Sequence, residues 1–120
     1  MLRQAFQNGI KIMVMRPSSL LHVMMDVDPE HEEEFNRWYW EEHVPERVAL
    51  PGFLSARRFV AKMGEPKYLA IYELESADAL ETPEYRHAYE NPSPWTQRIR
   101  KHYRSTRHLY SELTKPDDSK

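Results

Sequence analysis

The stretch from Asn36 to Phe53, "NRWYWEEHVPERVALPGF", decides how this chain reads. Trp38, Tyr39, Trp40, Glu41, Glu42 and His43 occupy consecutive positions, and Pro45, Pro51 and Gly52 follow. Upstream, Asp28-Pro29 is a helix-start signal. Asp28 is expected to cap, and Pro29 suits the first helical position, where its missing N–H costs nothing. Phe35, Trp38, Tyr39 and Glu42 then recur at helical spacing, and Pro45 is expected to end or kink the helix. The spacing predicts a helix from about Pro29 to Val44, followed by a turn at Pro51-Gly52.

On either side of this helix the apolar residues recur with the period of strands. "SLLHVMMDV" (Ser19 to Val27) is too short for a typical helix and reads as the first strand. "FLSARRFVAKM" and "KYLAIYELE" read as a hairpin joined through Gly64-Glu65-Pro66. Ser76, Thr82-Pro83 and Ser93-Pro94 resemble successive helix starts, which breaks the second helical region into short pieces. "YRSTRHLYSEL" reads as a last strand, and the polar "TKPDDSK" as a frayed tail. Strand, helix, strand, strand, helices, strand is the α+β, ferredoxin-like split βαβ order, an antiparallel sheet with helices on one side. The first strand carries Leu21, Val23, Met25 and Val27 on one face and Leu20, His22, Met24 and Asp26 on the other. Both faces call for cover. The helices supply one, and the same sheet in a second subunit is the simplest supplier of the other, so a homodimer is expected.

At 120 residues the chain is one domain by length. Its domain is placed at 19–113, between an N-terminal extension at 1–18 and a disordered tail at 114–120. Met13 and Met15 each offer a start close to the first strand, with "IKIMVM" as an added edge strand the alternative. The apolar runs are too short to span a bilayer, and the N-terminus lacks the apolar core of a secretory signal, which gives a cytoplasmic expectation. The absence of cysteine removes disulfides, thiolate catalysis and Cys-type metal sites. With 17 basic and 19 acidic side chains, nothing recommends nucleic acid or membrane as a partner. A basic run, Arg98, Arg100, Lys101, Arg104 and Arg107, is read first as a solvated face and second as a patch for an anionic ligand.

Several side chains in this frame carry potential chemistry. Glu42 lies within the apolar arc of the helix, where a carboxylate must be paired, hydrogen-bonded or protonated. An ion pair with Arg47 or Arg58 is the structural explanation, and a pocket the functional one. His43 is the residue of the motif that titrates near neutrality, suited to general acid or base work, though a histidine at a helix C-terminus is also an ordinary cap. His22 joins it only if its face of the strand looks toward the helices. Trp38, Tyr39, Tyr72 and Trp95 are either core or the walls of a site for a flat ligand, and Arg58 or Arg57 would hold its anion. Scattered histidines give no metal site, three glycines leave no phosphate or dinucleotide loop, and no nucleophile elbow is present.

The element order, "WYxxEHxPE" at Trp38 to Glu46, "PGF" at Pro51 to Phe53 and the Arg58-Phe59 step together resemble the dimeric α+β barrel superfamily, in particular its EthD-like branch. The resemblance covers roughly Ser19 to Leu113. It implies a homodimer with facing sheets, and in each subunit a pocket between sheet and helices. It also implies cofactor-independent isomerase, lyase or monooxygenase-type chemistry on a small hydroxy-aromatic, lactone or polyketide-like compound. His43, assisted by His22 or Glu42, would move the proton. The alternative is a non-catalytic protein that binds a small ligand or haem, of the ether-degradation accessory type. The Pro-rich second helical region, with Pro83, Pro92 and Pro94, departs from the usual pattern at the pocket's rim.

Overall fold

The structure is a computed structural model, and it describes residues 16–116. Most of the expected extension and the last four residues of the tail lie outside the described residues. β1 (Ser19–Val27), β2 (Phe53–Val60), β3 (Tyr68–Leu74) and β4 (Tyr103–Ser111) form one antiparallel sheet in the order β2-β3-β1-β4. Sequence-adjacent β2 and β3 pair as the expected hairpin, and β1 sits between β3 and β4. This is the ferredoxin-like order.

All the helical elements lie against one face. A 3-10 turn (Pro29–His31) leads into α1 (Glu32–Trp38), a π turn (Tyr39–His43) and α2 (Val44–Val48). The helical path therefore runs past Pro45 and does not stop at Val44 as expected. A proline inside a helix lacks the N–H and pushes its ring against the carbonyl four residues back, here that of Glu41. The chain meets this by widening one turn just before it, with the Val44 N–H reaching back five residues to the Tyr39 carbonyl. Asp28 does not cap with its side chain. Its carboxylate instead turns to β4, 3.2 Å from Arg104 and 3.5 Å from His102. Ser76, Thr82 and Ser93 do cap as expected, accepting from the N–H groups of Asp78, Tyr85 and Thr96. They open a 3-10 segment (Ala77–Glu81), α3 (Pro83–Glu90) and α4 (Pro94–Ile99).

The core forms where the helical path crosses the sheet. Leu21, Val23 and Met25 of β1 point toward the helices, beside Ala70, Tyr72 and Leu74 of β3. Phe35, Trp38 and Tyr39 descend onto them, each at most 1% exposed. The strand register places Leu20, His22, Met24, Leu69 and Ile71 on the opposite face. No described helix covers that face, and Phe59 and Tyr110 on it remain 39% and 51% exposed. The turn before β2 is built on Gly52. At φ +84 it takes the position of a type II turn that needs a positive φ, closed by the Phe53 N–H on the Leu50 carbonyl.

Candidate functional site

Between the helix-bearing face of the sheet and the helices lies a cavity of about 510 Å³. Its floor is apolar, from Leu21, Val23 and Met25, and its walls are the rings of Trp38, Tyr39, Tyr72, Tyr85 and Tyr103. Arg47, Arg100 and Arg107 line it too, with Glu46 and Glu90. The π turn shapes the wall. It carries both Tyr39 and His43, and the widened turn lets the imidazole stack on Trp38 (centroids 4.6 Å) while meeting Tyr39 edge-on at 4.9 Å. Tyr72, rising from β3, faces the same imidazole edge-on at 6.4 Å. Deeper still, the Tyr39 and Tyr72 hydroxyls bond to each other at 2.7 Å.

These surroundings set the charge on each group. Burial first, and then the guanidinium groups of Arg47, Arg58 and Arg107, push the His43 imidazole down to about 3, so it is neutral at physiological pH. Burial likewise pushes Tyr72 up to about 12 and Tyr39 well above its usual value, so both phenols keep their protons. Of the three arginines lining the cavity, Arg47 is paired with Glu46 at 2.8 Å and lies over the Tyr85 ring. Arg107 donates to the Tyr85 hydroxyl at 2.5 Å. Three guanidinium groups against the two carboxylates of Glu46 and Glu90 leave the lining with a net positive charge beside aromatic walls, an arrangement that can hold a flat anion.

The other expected site residues have different places. The sheet separates His22 from His43. His22 pairs in register with Ile71 and His108 and meets Tyr110 at 5.0 Å, so the convergence of the two histidines on one cavity does not occur. Glu42 does not line the cavity and is not held by Arg47 or Arg58. Its carboxylate accepts from the hydroxyls of Ser93 (2.5 Å) and Thr96 (3.0 Å), and Thr96 accepts from the Trp38 indole at 3.0 Å. This chain fastens the π turn to α4. Trp95 bonds to Glu34 at 3.0 Å, under Arg37, and likewise joins α4 to α1. Arg58, not Arg57, shares the helix side of the sheet, two positions from Ala56, which pairs with Tyr72. Its guanidinium sits 4.2 Å over the Tyr39 ring, amid Phe35, Trp40 and Tyr68, and donates to Asn36 at 2.8 Å. It is thus behind Tyr39, supporting the wall. Among the cavity-lining residues, sequence reasoning gave no site role to Tyr85, Tyr103 or Arg47, and gave only a second reading, as part of an anionic-ligand patch, to Arg100 and Arg107. The last two belong to the basic run that was read first as solvated face.

A family model described as a domain of unknown function, DUF4286, matches residues 18–111. The chain belongs to the DUF4286 family. Its ferredoxin-like fold is shared by several solved structures. An EthD-family protein from Bacillus halodurans is 17% identical, with a TM-score of 0.55 over 79% of this chain and 99% of its own. SnoaB, a cofactor-independent oxygenase from Streptomyces nogalater, is 18% identical, with a TM-score of 0.55 over 82% and 96%. The heme-degrader MhuD from Mycobacterium tuberculosis, solved with two hemes in its active site, is 13% identical, with a TM-score of 0.59 over 82% and 99%. No curated protein sequence matches this DUF4286 chain. At these identities the structures share the fold, and the cavity must be read from its own residues. Among the described residues no cluster of three metal-ligating side chains occurs, and no helix is long and apolar enough to cross a membrane.

Proposed function

We propose that this DUF4286 protein is a homodimeric enzyme that performs cofactor-independent acid/base chemistry on a small, flat, anionic compound of hydroxy-aromatic, lactone or polyketide type. The observation that carries the reading is the position of His43, a neutral imidazole against Trp38, Tyr39 and Tyr72 on the wall of a 510 Å³ aromatic cavity. A free ring nitrogen there accepts a proton from a substrate carbon or hydroxyl held against the aromatic walls. Burial first, and then the guanidinium groups of Arg47, Arg58 and Arg107, keep the His43 imidazole uncharged. A bound anion offsets their field, and the pKa of His43 rises toward the useful range as the substrate arrives. The proton acceptor is in this sense activated by its own substrate. The fold it shares with the cofactor-independent oxygenase SnoaB is compatible with such chemistry.

The dimer follows from the uncovered sheet face. Leu20, Met24, Leu69 and Ile71 lie in one band with exposed Phe59 and Tyr110, and a second copy of the same face is their self-complementary cover. His22 would then sit in the dimer core, away from the chemistry.

The second reading is a protein that holds a flat ligand or haem without turning it over. An uncharged imidazole is what an iron would need, and Arg47, Arg100 and Arg107 would meet carboxylate side chains. The test is to incubate the purified dimer with hydroxynaphthoates and hydroxyanthraquinones in D2O and follow ring-proton exchange and oxygenated products by NMR and mass spectrometry. The enzyme reading expects turnover that His43→Ala abolishes while light scattering still shows a dimer. Binding without turnover favours the second reading, and neither binding nor turnover refutes both.

A further inference from the structure

Tyr39 and Tyr72 reach the cavity from opposite sides, one from the π turn and one from β3. Two phenols own two hydroxyl protons, and their mutual 2.7 Å bond uses one of them. Neither hydroxyl has another partner among the described residues. Each residue is 1% exposed, so the pair is shut off from bulk solvent, and the cavity that both residues line is the space beside it. Burial keeps both phenols protonated far into alkaline pH. Of the nearby polar groups, the Trp38 indole donates to Thr96 and the Thr96 hydroxyl donates to Glu42, which leaves the neutral His43 ring, edge-on to both phenols, as the neighbouring protein acceptor.

We propose that the Tyr39–Tyr72 pair is an oxygen-binding element that donates one O–H to a carbonyl or enolate oxygen of the ligand, while Arg47, Arg100 and Arg107 hold a carboxylate. The ligand class is therefore a flat keto acid, with an oxygen acceptor at the deep end and a carboxylate among the guanidinium groups. A phenol that stays neutral beside a neutral imidazole stabilises the oxygen of a developing enolate without drawing a charge into the core. This rests on the cavity being the ligand pocket, and it assigns Tyr39 and Tyr72 a direct contact with the reacting oxygen.

Two matched probes separate the elements. 9-Fluorenone-2-carboxylate and fluorene-2-carboxylate share rings and carboxylate, and only the first has the acceptor oxygen. By isothermal titration the wild-type protein is expected to bind the ketone about five- to tenfold more tightly, the value of one hydrogen bond. The Tyr39→Phe,Tyr72→Phe double variant should bind the two acids equally, at the affinity the wild type shows for fluorene-2-carboxylate. Of the single variants, the one that removes the ligand-facing hydroxyl loses the preference. Tyr103→Phe should retain it, and Arg107→Gln should weaken both acids alike. Equal binding of the two acids by wild type, or loss of the preference in Tyr103→Phe alone, overturns the tyrosine assignment and leaves the pocket standing. Binding of neither acid overturns the pocket reading and this proposal with it. Should the double variant unfold, the single variants, each keeping one phenol, decide the matter by the same ratio.

Discussion

Lowering the pH should cost this protein stability through one imidazole, and His43→Gln should remove that cost. In the unfolded chain His43 titrates at its ordinary 6.5, and in the folded cavity at about 3. Between these values the unfolded state holds a proton that the folded state refuses, so stability is complete above 6.5 and falls as the pH drops toward 3. Each unit of pH in that window is worth about 1.4 kcal/mol, so going from pH 7 to pH 5 removes about 2 kcal/mol. The partly open ring keeps some hydration, which trims the expected loss to between about 1 and 2 kcal/mol. Urea denaturation of wild type and His43→Gln at the two pH values, at one protein concentration, gives the number as a difference of differences. The other five histidines are common to both proteins and cancel. The depressed carboxylates of Asp28, Glu32 and Glu34 lose their contribution only at lower pH. An equal pH dependence in the two proteins would refute the claim that His43 is held neutral in a desolvated wall.

Three further outcomes follow from particular contacts. Gly52→Ala should cost about 1–3 kcal/mol, because φ is +84 and a Cβ there would lie 2.7 Å from the Ala79 Cβ; thermal melting measures it. Glu42→Leu should cost roughly 2 kcal/mol by stranding the Ser93 and Thr96 hydroxyls, yet leave the affinity for a flat aromatic acid within about twofold; a large loss of affinity would return Glu42 to the site. Ile71→Arg on the open sheet face should convert the dimer to a monomer near 14.4 kDa by light scattering, and a wild-type monomer at micromolar concentration would remove the dimer altogether.

Much of the fold was legible because its signals are local. Ser19 to Val27 has the composition and length of a strand, and Ser76, Thr82 and Ser93 announce helix starts by capping chemistry that needs no tertiary context. The second part of the long helix was hidden by Pro45, since the local rule says stop and the π turn that answers it is visible only in backbone hydrogen bonds. The site was legible in half. Trp38, Tyr39 and His43 are neighbours in sequence and remain neighbours in space. Alternation along β1 yields two faces but does not say which one the helices choose, so His22 joins His43 only on the condition that its face meets the helices, and it lies across the sheet. Glu42 drew attention as a buried carboxylate, and its real partners come from α4, some fifty residues on. Arg100 and Arg107 are exposed, as the solvated-face reading expects, and they also border the cavity, Arg100 from the 3-10 turn before β4 and Arg107 from β4 itself.

The measurement that bears most directly on the central claim is the titration of the His43 ring by NMR with and without a flat aromatic acid. In the free protein the ring should remain neutral from pH 8 to below pH 5, because burial and three guanidinium groups hold its pKa near 3. Saturation with 9-fluorenone-2-carboxylate should raise the midpoint by at least one unit, since the carboxylate offsets those charges beside the imidazole. A ring that titrates near 6.5 in the free protein and does not shift on adding the acid would contradict a desolvated, anion-receptive site at His43.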